Sequence, residues 1–143
     1  MIVVEETPSL EVCHTDGPYC LGVRTLVARA AGEVAHRFTG VVGPEIKQHS
    51  LQVAEHLHIS ETAFIGFLLH SCDPNSCLDM SRFELVTLRA VPADALLTID
   101  YAATENRLYR QFECHCGALA CRRWIVGRAE GANAEGRAYL AKS

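Results

Sequence analysis

Three cysteines are crowded near the C-terminal end of the chain. Cys114, Cys116 and Cys121 follow the spacing Cys-x-Cys-x4-Cys. Zinc prefers four soft donors in a tetrahedral arrangement, and cysteines this close in sequence can wrap one metal ion but cannot all pair with one another as disulfides. The total of seven cysteines is odd, which also disfavours a fully paired disulfide framework. The spacing therefore predicts a structural zinc site, with three buried or free thiols as the simpler alternative.

A tetrahedral site needs a fourth ligand. The sequence offers five candidates: His115, Cys13, Cys20, Cys72 and Cys77. We favour Cys72 because it lies in the turn-rich segment HSCDPNSC, residues 70–77, which we expect to be rigid. A ligand from this segment would tie the C-terminal cysteines to the body of the chain. The remaining cysteines are interpreted as thiols, mostly buried.

The sequence pattern predicts mainly short strands as the elements that position the cysteines. Apolar and polar residues alternate over Glu33–Thr39, which predicts a half-buried strand with Val34, His36 and Phe38 on one face. Further strands are predicted at Ile2–Val4, Gly22–Ala28, Ser50–Ala54, Phe83–Val91 and Ala95–Ile99. Phe64–Leu69 is either a strand or one buried helical turn, His56 and His58 are predicted to share a strand edge, and a weak helix is predicted at Ala134–Lys142. Seven or so short strands with little helix predict a compact, mainly β domain.

Composition and charge argue against several classes of partner and location. The chain has 143 residues, of which 49% are hydrophobic, and a formal net charge of −4. It has no basic run, so we expect no nucleic-acid partner. It has no apolar stretch long enough to cross a bilayer, so we expect no membrane contact. The N-terminus lacks the basic and apolar regions of a signal peptide, which predicts a cytoplasmic protein.

Several blocks of the sequence resemble the motifs of SET-domain methyltransferases that carry a post-SET zinc segment. The matching blocks are Gly22-Val23-Arg24, Ala31-Gly32-Glu33, Phe38-Thr39-Gly40, Ser50-Leu51-Gln52-Val53, His70-Ser71-Cys72-Asp73-Pro74-Asn75, Leu88-Arg89-Ala90-Val91, Leu97-Thr98-Ile99-Asp100-Tyr101 and Phe112-x-Cys114-x-Cys116-Gly117 through Cys121-Arg122. They follow the family's order over residues 20–127. The chain is identified as a member of this family because the whole ordered set is specific, although each block alone is weak.

The resemblance implies the fold. It implies small curved sheets, a threaded C-terminal segment and a zinc-stapled post-SET tail. The corresponding division is a SET-like domain over residues 1–111, a post-SET zinc segment over 112–127 and a C-terminal tail over 128–143. In the family the motif cysteine at the position of Cys72 completes the zinc site, so the implied ligands are Cys72, Cys114, Cys116 and Cys121.

The resemblance also implies a reaction, the transfer of a methyl group from S-adenosylmethionine to a lysine amine. Tyr101 stands at the position of the active-site tyrosine. Phe38 stands where a second tyrosine is common, and His70 matches the motif histidine, so these three form the implied catalytic set. The implied cofactor-binding residues are Leu21, Gly22, Leu69, His70 and Phe112.

Several cofactor-linked positions depart from the family pattern. Leu69 replaces an asparagine that helps hold the cofactor, and Cys20 replaces the first glycine of a Gly-x-Gly turn. The leading hypothesis is an S-adenosylmethionine-dependent N-methyltransferase whose acceptor is an amine, expected to be a protein lysine. The alternative is a recruited SET scaffold that performs lyase or cyclase chemistry on a small molecule, with His70 and Tyr101 as acid and base. A catalytically inactive, zinc-stapled binding module is the third hypothesis.

Overall fold

The computed structural model describes residues 3–6, 9–15 and 21–142 of the chain. Within these ranges the structure has thirteen short strands, one α-helix and two 3-10 turns. The strands are β1 (Val3–Glu6), β2 (Leu10–His14), β3 (Leu21–Thr25), β4 (Val34–Arg37), β5 (Val41–Gly43), β6 (Leu51–Ala54), β7 (Leu57–Ser60), β8 (Leu69–His70), β9 (Ser76–Asp79), β10 (Glu84–Thr87), β11 (Thr98–Ile99), β12 (Phe112–Glu113) and β13 (Trp124–Ile125). The helix α1 spans Ala134–Ala141, and the 3-10 turns span Ile65–Phe67 and Tyr101–Ala103. The predicted mainly β class is confirmed.

The strands form five small sheets. Three sheets have three strands each, in the orders β1-β2-β3, β4-β10-β9 and β5-β7-β6. The other two are the antiparallel pair β12-β13 and the parallel pair β8-β11. The apolar faces meet in one core, whose most deeply buried members include Leu10, Val12, Val23, Ile65, Leu68, Leu85, Leu97 and Ile99.

The pairing of β8 with β11 positions the end of the domain. Leu69 lies opposite Thr98, and His70 lies opposite Ile99. The chain then turns at Tyr101 and returns to β6, where the Glu105 carboxylate accepts a hydrogen bond from the Gln52 N–H at 2.8 Å. Residues 98–106 are therefore held between β8 on one side and β6 on the other.

The structure corrects the predicted face of β4. Val34 is 40% exposed, whereas its neighbour Ala35 is buried. The cause is a bulge: Leu85 pairs with His36 but the next residue of β10 pairs with Val34, so Ala35 is an extra residue. Beyond the bulge the prediction agrees with the structure, because Phe38 is buried and His36 is half-buried.

Other predicted elements are shorter or different. The predicted strands at 22–28, 83–91 and 95–99 are reduced to β3, β10 and β11. The ambiguous segment 64–69 forms a 3-10 turn that leads into β8. His56 lies in the β6–β7 turn with a φ of 59°, so the prediction that it shares a strand edge with the buried His58 is wrong. Ile2 and Cys20 lie outside the described residues.

The C-terminal helix packs on the hairpin that carries the cysteines. Asn133 caps α1 by accepting a hydrogen bond from the Gly136 N–H at 2.8 Å. Gly136 lies directly against the indole of Trp124 in β13, where a Cβ atom would overlap the ring. The Trp124 Nε1–H donates to Gln111 at 2.9 Å, which fixes the indole under the helix.

We expect Gly136→Ala to destabilise the protein by about 1–3 kcal/mol, because the added methyl group must displace α1 or Trp124. Intrinsic helix propensity favours alanine by about 1 kcal/mol, so a net loss identifies the steric clash. Urea unfolding curves measure the difference. Gly131→Ala, at a position with open space for a Cβ atom, is the control. Equal stability of the Gly136→Ala variant and the wild type would contradict the packing described here.

Candidate functional site: a cysteine cluster beside a tyrosine-lined cavity

The four predicted metal ligands lie together. The Sγ atoms of Cys72, Cys114, Cys116 and Cys121 are all within 4.8 Å of one another. A tetrahedral zinc ion with Zn–S bonds of about 2.3 Å holds its sulfurs about 3.8 Å apart, so small side-chain shifts bring this set onto one ion. The cluster therefore fits a metal ion such as zinc. Cys13 and Cys77, two of the alternative fourth ligands, lie outside it.

Backbone hydrogen bonds and burial set the pKa values of the thiols in the cysteine cluster. The Arg122 N–H donates to the Cys72 Sγ at 3.4 Å, and the Cys114 N–H donates to the Arg123 carbonyl at 2.7 Å. Backbone N–H groups of Ala118 and Cys72 lower the pKa of the Cys116 thiol to about 6. Burial raises the pKa of the Cys114 thiol to about 12. The site thus offers one ready thiolate, and a bound cation would supply the charge that the buried thiol needs to ionise.

His70 connects the cysteine cluster to the end of β11. Its side chain is 2% exposed, its Nδ1 accepts a hydrogen bond from the Tyr101 N–H at 3.1 Å, and its Nε2 lies 3.4 Å from the Cys72 Sγ. Burial lowers the pKa of His70 to about 4, so the ring is neutral at pH 7. Both ring nitrogens are occupied by protein groups, and this geometry gives His70 a positioning role rather than the acid–base role considered from the sequence.

An ion pair between Arg122 and Asp100, which was not predicted from the sequence, lies beside His70 and the cysteine cluster. The Arg122 guanidinium donates two hydrogen bonds to the Asp100 carboxylate, at 2.9 and 2.7 Å. Burial alone would raise the pKa of Asp100, but the hydrogen bonds from Arg122 and from the Ala102 N–H lower it. The pair joins residues 22 positions apart and fixes the turn that begins at Tyr101. The sequence signal was the place of both residues in the matching blocks, Asp100 before Tyr101 and Arg122 after Cys121.

Tyr101 lies in a cluster of three aromatic rings. Its ring centroid is 5.2 Å from that of His70 and 5.7 Å from that of Phe112, and the His70 and Phe112 centroids are 5.8 Å apart. All three contacts are edge-to-face, an arrangement that stabilises aromatic pairs. The Tyr101 hydroxyl donates to the Leu68 carbonyl at 2.5 Å, so the position of its oxygen is well determined.

A cavity of about 410 Å³ opens beside Tyr101. Apolar side chains of Leu51, Ile65, Leu68 and Ile99 form part of its wall. Tyr101, Phe112 and the buried Glu105 also line it. This volume is in the range of small-molecule and side-chain binding pockets.

The predicted cofactor-binding residues form one chain of contacts. An ideal Cβ atom at Gly22 would lie 3.0 Å from the Leu69 Cδ1, so the glycine allows Leu69 to pack closely on β3. Leu69 is followed by His70, whose ring contacts Phe112. Leu21, next to Gly22, packs at the edge of the core and pairs with His14 across β2 and β3. The structure thus places Gly22 against Leu69 and His70 against Phe112, whereas Leu21 joins this set only through its position next to Gly22 in β3.

Phe38, the third residue of the implied catalytic set, lies elsewhere. It is 5% exposed and packs edge-to-face on Phe83, with ring centroids 5.7 Å apart. It is absent from the wall of the cavity that Tyr101 lines, as far as the described residues show. Phe38 is therefore a core residue. A tyrosine at this position would have to bury its hydroxyl, which would need a hydrogen-bond partner there.

Comparisons with known proteins identify relatives of this chain. The chain is 32% identical over 122 residues to the methyltransferase flvH of Aspergillus flavus, covering 83% of this chain and 68% of flvH. It is 29% identical over 137 residues to lin-59 of Caenorhabditis elegans, a probable histone-lysine N-methyltransferase, covering 82% of this chain and 10% of lin-59. No protein-family model matches the chain.

Solved structures give the same fold. The structure of KRYPTONITE with mCHG DNA and SAH superimposes with a TM-score of 0.64 and 25% identity, over 84% of this chain and 30% of that one. A second KRYPTONITE structure, with mCHH DNA, an H3(1–15) peptide and SAH, gives a TM-score of 0.63 over 80% of this chain and 29% of that one. The chain belongs to the SET-domain methyltransferases, and the predicted family is confirmed. It spans about two thirds of flvH and a tenth of lin-59.

Within the described residues, no helix is long and apolar enough to cross a membrane.

Proposed function

We propose that this protein transfers a methyl group from S-adenosylmethionine to an amine, with a protein lysine as the expected acceptor. The observation that carries the proposal is the position of the Tyr101 hydroxyl, which is held by the Leu68 carbonyl on the wall of a cavity. Two of the predicted cofactor residues, His70 and Phe112, belong to the same aromatic cluster as Tyr101. Support also comes from relatives, since flvH is named a methyltransferase, lin-59 a probable histone-lysine N-methyltransferase, and KRYPTONITE was solved with SAH and an H3 peptide.

The residues around Gly22 fit a polar cofactor. The Nδ1 atom of His14, which pairs with Leu21 across the β2–β3 hairpin, is buried and has no hydrogen-bond partner among the described residues. An unpartnered buried nitrogen is costly unless a ligand satisfies it. When bound, S-adenosylmethionine supplies an electrophilic methyl group. Leu21, Gly22, Leu69, His70 and Phe112 would hold it.

Tyr101 would position the acceptor. Its hydroxyl donates to the Leu68 carbonyl, and a phenol oxygen can also accept a hydrogen bond from an N–H of the amine. Transfer needs a neutral amine, and an apolar wall lowers the pKa of an alkylamine. Leu51, Ile65 and Ile99 supply that wall. The residues thus orient the nitrogen lone pair and favour its reactive form.

Calorimetric titration of the zinc-loaded protein with S-adenosylmethionine tests the cofactor assignment. We expect micromolar binding, about −8 kcal/mol. Phe112→Ala is expected to weaken this binding at least tenfold, because it removes one ring of the aromatic cluster. Tyr109→Ala, which changes a 61% exposed aromatic residue of the same cavity, should leave the affinity unchanged. Absence of heat at millimolar cofactor, with and without an added amine, would contradict the proposal.

A further inference from the structure

Glu105 is a buried acid on the wall of the cavity that Tyr101 lines. The residue is 7% exposed, and its N–H donates to the Tyr101 carbonyl at 3.0 Å, which places it one turn after the tyrosine. Among the described residues it is the one acidic side chain that lines this cavity. A buried carboxylate next to the candidate reaction site needs an explanation, because Glu is seldom buried without a cation.

No cation of the described chain neutralises Glu105. The carboxylate accepts hydrogen bonds from the Gln52 N–H, at 2.8 Å, and from the Thr104 hydroxyl, but forms no ion pair in this part of the molecule. Arg128 acts on it only at longer range, because its guanidinium donates to the Ala103 and Thr104 carbonyls and to Asn106. Burial raises the pKa of Glu105, and the two hydrogen bonds and the more distant Arg128 offset only part of this effect.

The hydrogen bonds of Glu105 do not explain its charge. A neutral glutamine has the same length and could accept from the Gln52 N–H equally well. Two cationic residues, Lys47 and Arg110, also line the cavity, but both are exposed and neither forms an ion pair with Glu105. The arrangement is a carboxylate held in the wall, with exposed cationic side chains at the surface. It is complementary to a cation that enters from solvent.

We infer that Glu105 binds the ammonium group of the acceptor and makes the site select cationic amines over neutral molecules of the same shape. The inference rests on the proposed function, because it assigns this role within the same cavity. An entering ammonium group would satisfy the charge of the carboxylate, and it would lose its proton to solvent before transfer, because the reaction needs the neutral amine.

Paired ligands that differ only in charge test this inference. The zinc-loaded wild type, saturated with S-adenosylhomocysteine, is titrated by NMR with n-butylamine, which is cationic at pH 7, and with 1-butanol. We expect butylammonium to bind at least tenfold more tightly. In Glu105→Gln the two affinities should fall within about twofold of each other, and the KM for the amine substrate should rise about tenfold with kcat little changed. Glu55→Gln, at an exposed turn of the β6–β7 hairpin, removes the same charge and should behave as the wild type.

The outcomes separate this inference from the proposed function. Equal affinities of the wild type for the amine and the alcohol would overturn the inference whether or not the variant folds. A preference for butylammonium over 1-butanol that persists in Glu105→Gln would overturn the inference as well. A Glu105→Gln variant that loses stability and binds neither ligand would also overturn it, because the role of Glu105 would then be structural. Methyl transfer without ammonium selectivity would refute the role of Glu105 and leave the proposed function intact. Ammonium selectivity in a protein that methylates no amine would support the binding role of Glu105 and refute the proposed methyl transfer.

Discussion

Tyr101→Phe is expected to reduce the rate of methyl transfer by about a hundredfold or more, the usual effect of removing one positioned polar group from a reaction centre. The hydroxyl is held by the Leu68 carbonyl, and its oxygen is the group we place against the amine. The ring would remain between His70 and Phe112, so the fold and the cofactor affinity should be retained. Single-turnover rates with labelled S-adenosylmethionine measure the loss, and calorimetry measures the cofactor Kd.

Tyr109→Phe provides the matched control for this substitution. Tyr109 lines the same cavity but is 61% exposed, and the loss of its hydroxyl should change the rate less than twofold. A Tyr101→Phe variant that keeps the wild-type rate would exclude the tyrosine oxygen from the reaction. A variant that loses cofactor binding together with activity would instead indicate that Tyr101 builds the cofactor site.

Cys72→Ser is expected to lose the bound zinc and to release the C-terminal segment, although Cys72 lies 42 positions before Cys114. Structural zinc sites contribute about 10–16 kcal/mol of binding free energy in small zinc peptides, and removing one of four thiolates forfeits a large part of it. Elemental analysis should show a fall from about one zinc per chain to a small fraction. Since Trp124 is the one tryptophan in the chain and lies between the cysteines and α1, its emission should shift to the red.

Cys77→Ser distinguishes loss of a ligand from loss of a thiol. Cys77 lies on β9, is partly buried and is outside the cysteine cluster, so its substitution should leave the zinc content and Trp124 emission as in the wild type. Full zinc occupancy in Cys72→Ser would show that another residue supplies the fourth ligand. His115 would then be the first to test, because it lies between two of the cysteines.

The cysteine cluster and the strand end before Tyr101 were largely predictable from the sequence. The spacing of the three C-terminal cysteines is a local signal, and the turn-rich segment around Cys72 indicated where a fourth ligand could be rigidly held. The end of the strand before Tyr101 was equally visible, because Thr98 and Ile99 are both β-branched and are followed by the turn-favouring Asp100. These features depend on residue types at fixed short separations.

The remaining features depend on contacts between distant residues. The bulge at Ala35 arises from the register between β4 and β10, and alternation within one strand cannot reveal it. Glu105 carries no motif, and its burial follows only from the return of residues 98–106 to β6. The role of His70 also changed, because its two ring nitrogens contact Tyr101 and Cys72 in a way that no sequence pattern specifies.

Phe38 illustrates the limit of resemblance. Its position in a family motif implied a place in the active site, but its neighbours in this chain pack it against Phe83. Leu69 likewise replaces a polar residue and packs onto Gly22. In both places an apolar side chain packs against a neighbour, which leaves Tyr101 and the cavity beside it as the site on which the proposed function rests.

Transfer of a labelled methyl group from S-adenosylmethionine to an amine is the most direct test of the proposed function. The zinc-loaded protein would be incubated with the labelled cofactor and either a lysine-containing peptide or n-butylamine, and the products separated by mass. We predict a mass increase of one or more methyl groups on the amine nitrogen, dependent on Tyr101. Absence of label from both acceptors, in a protein shown to contain zinc and to bind the cofactor, would contradict it.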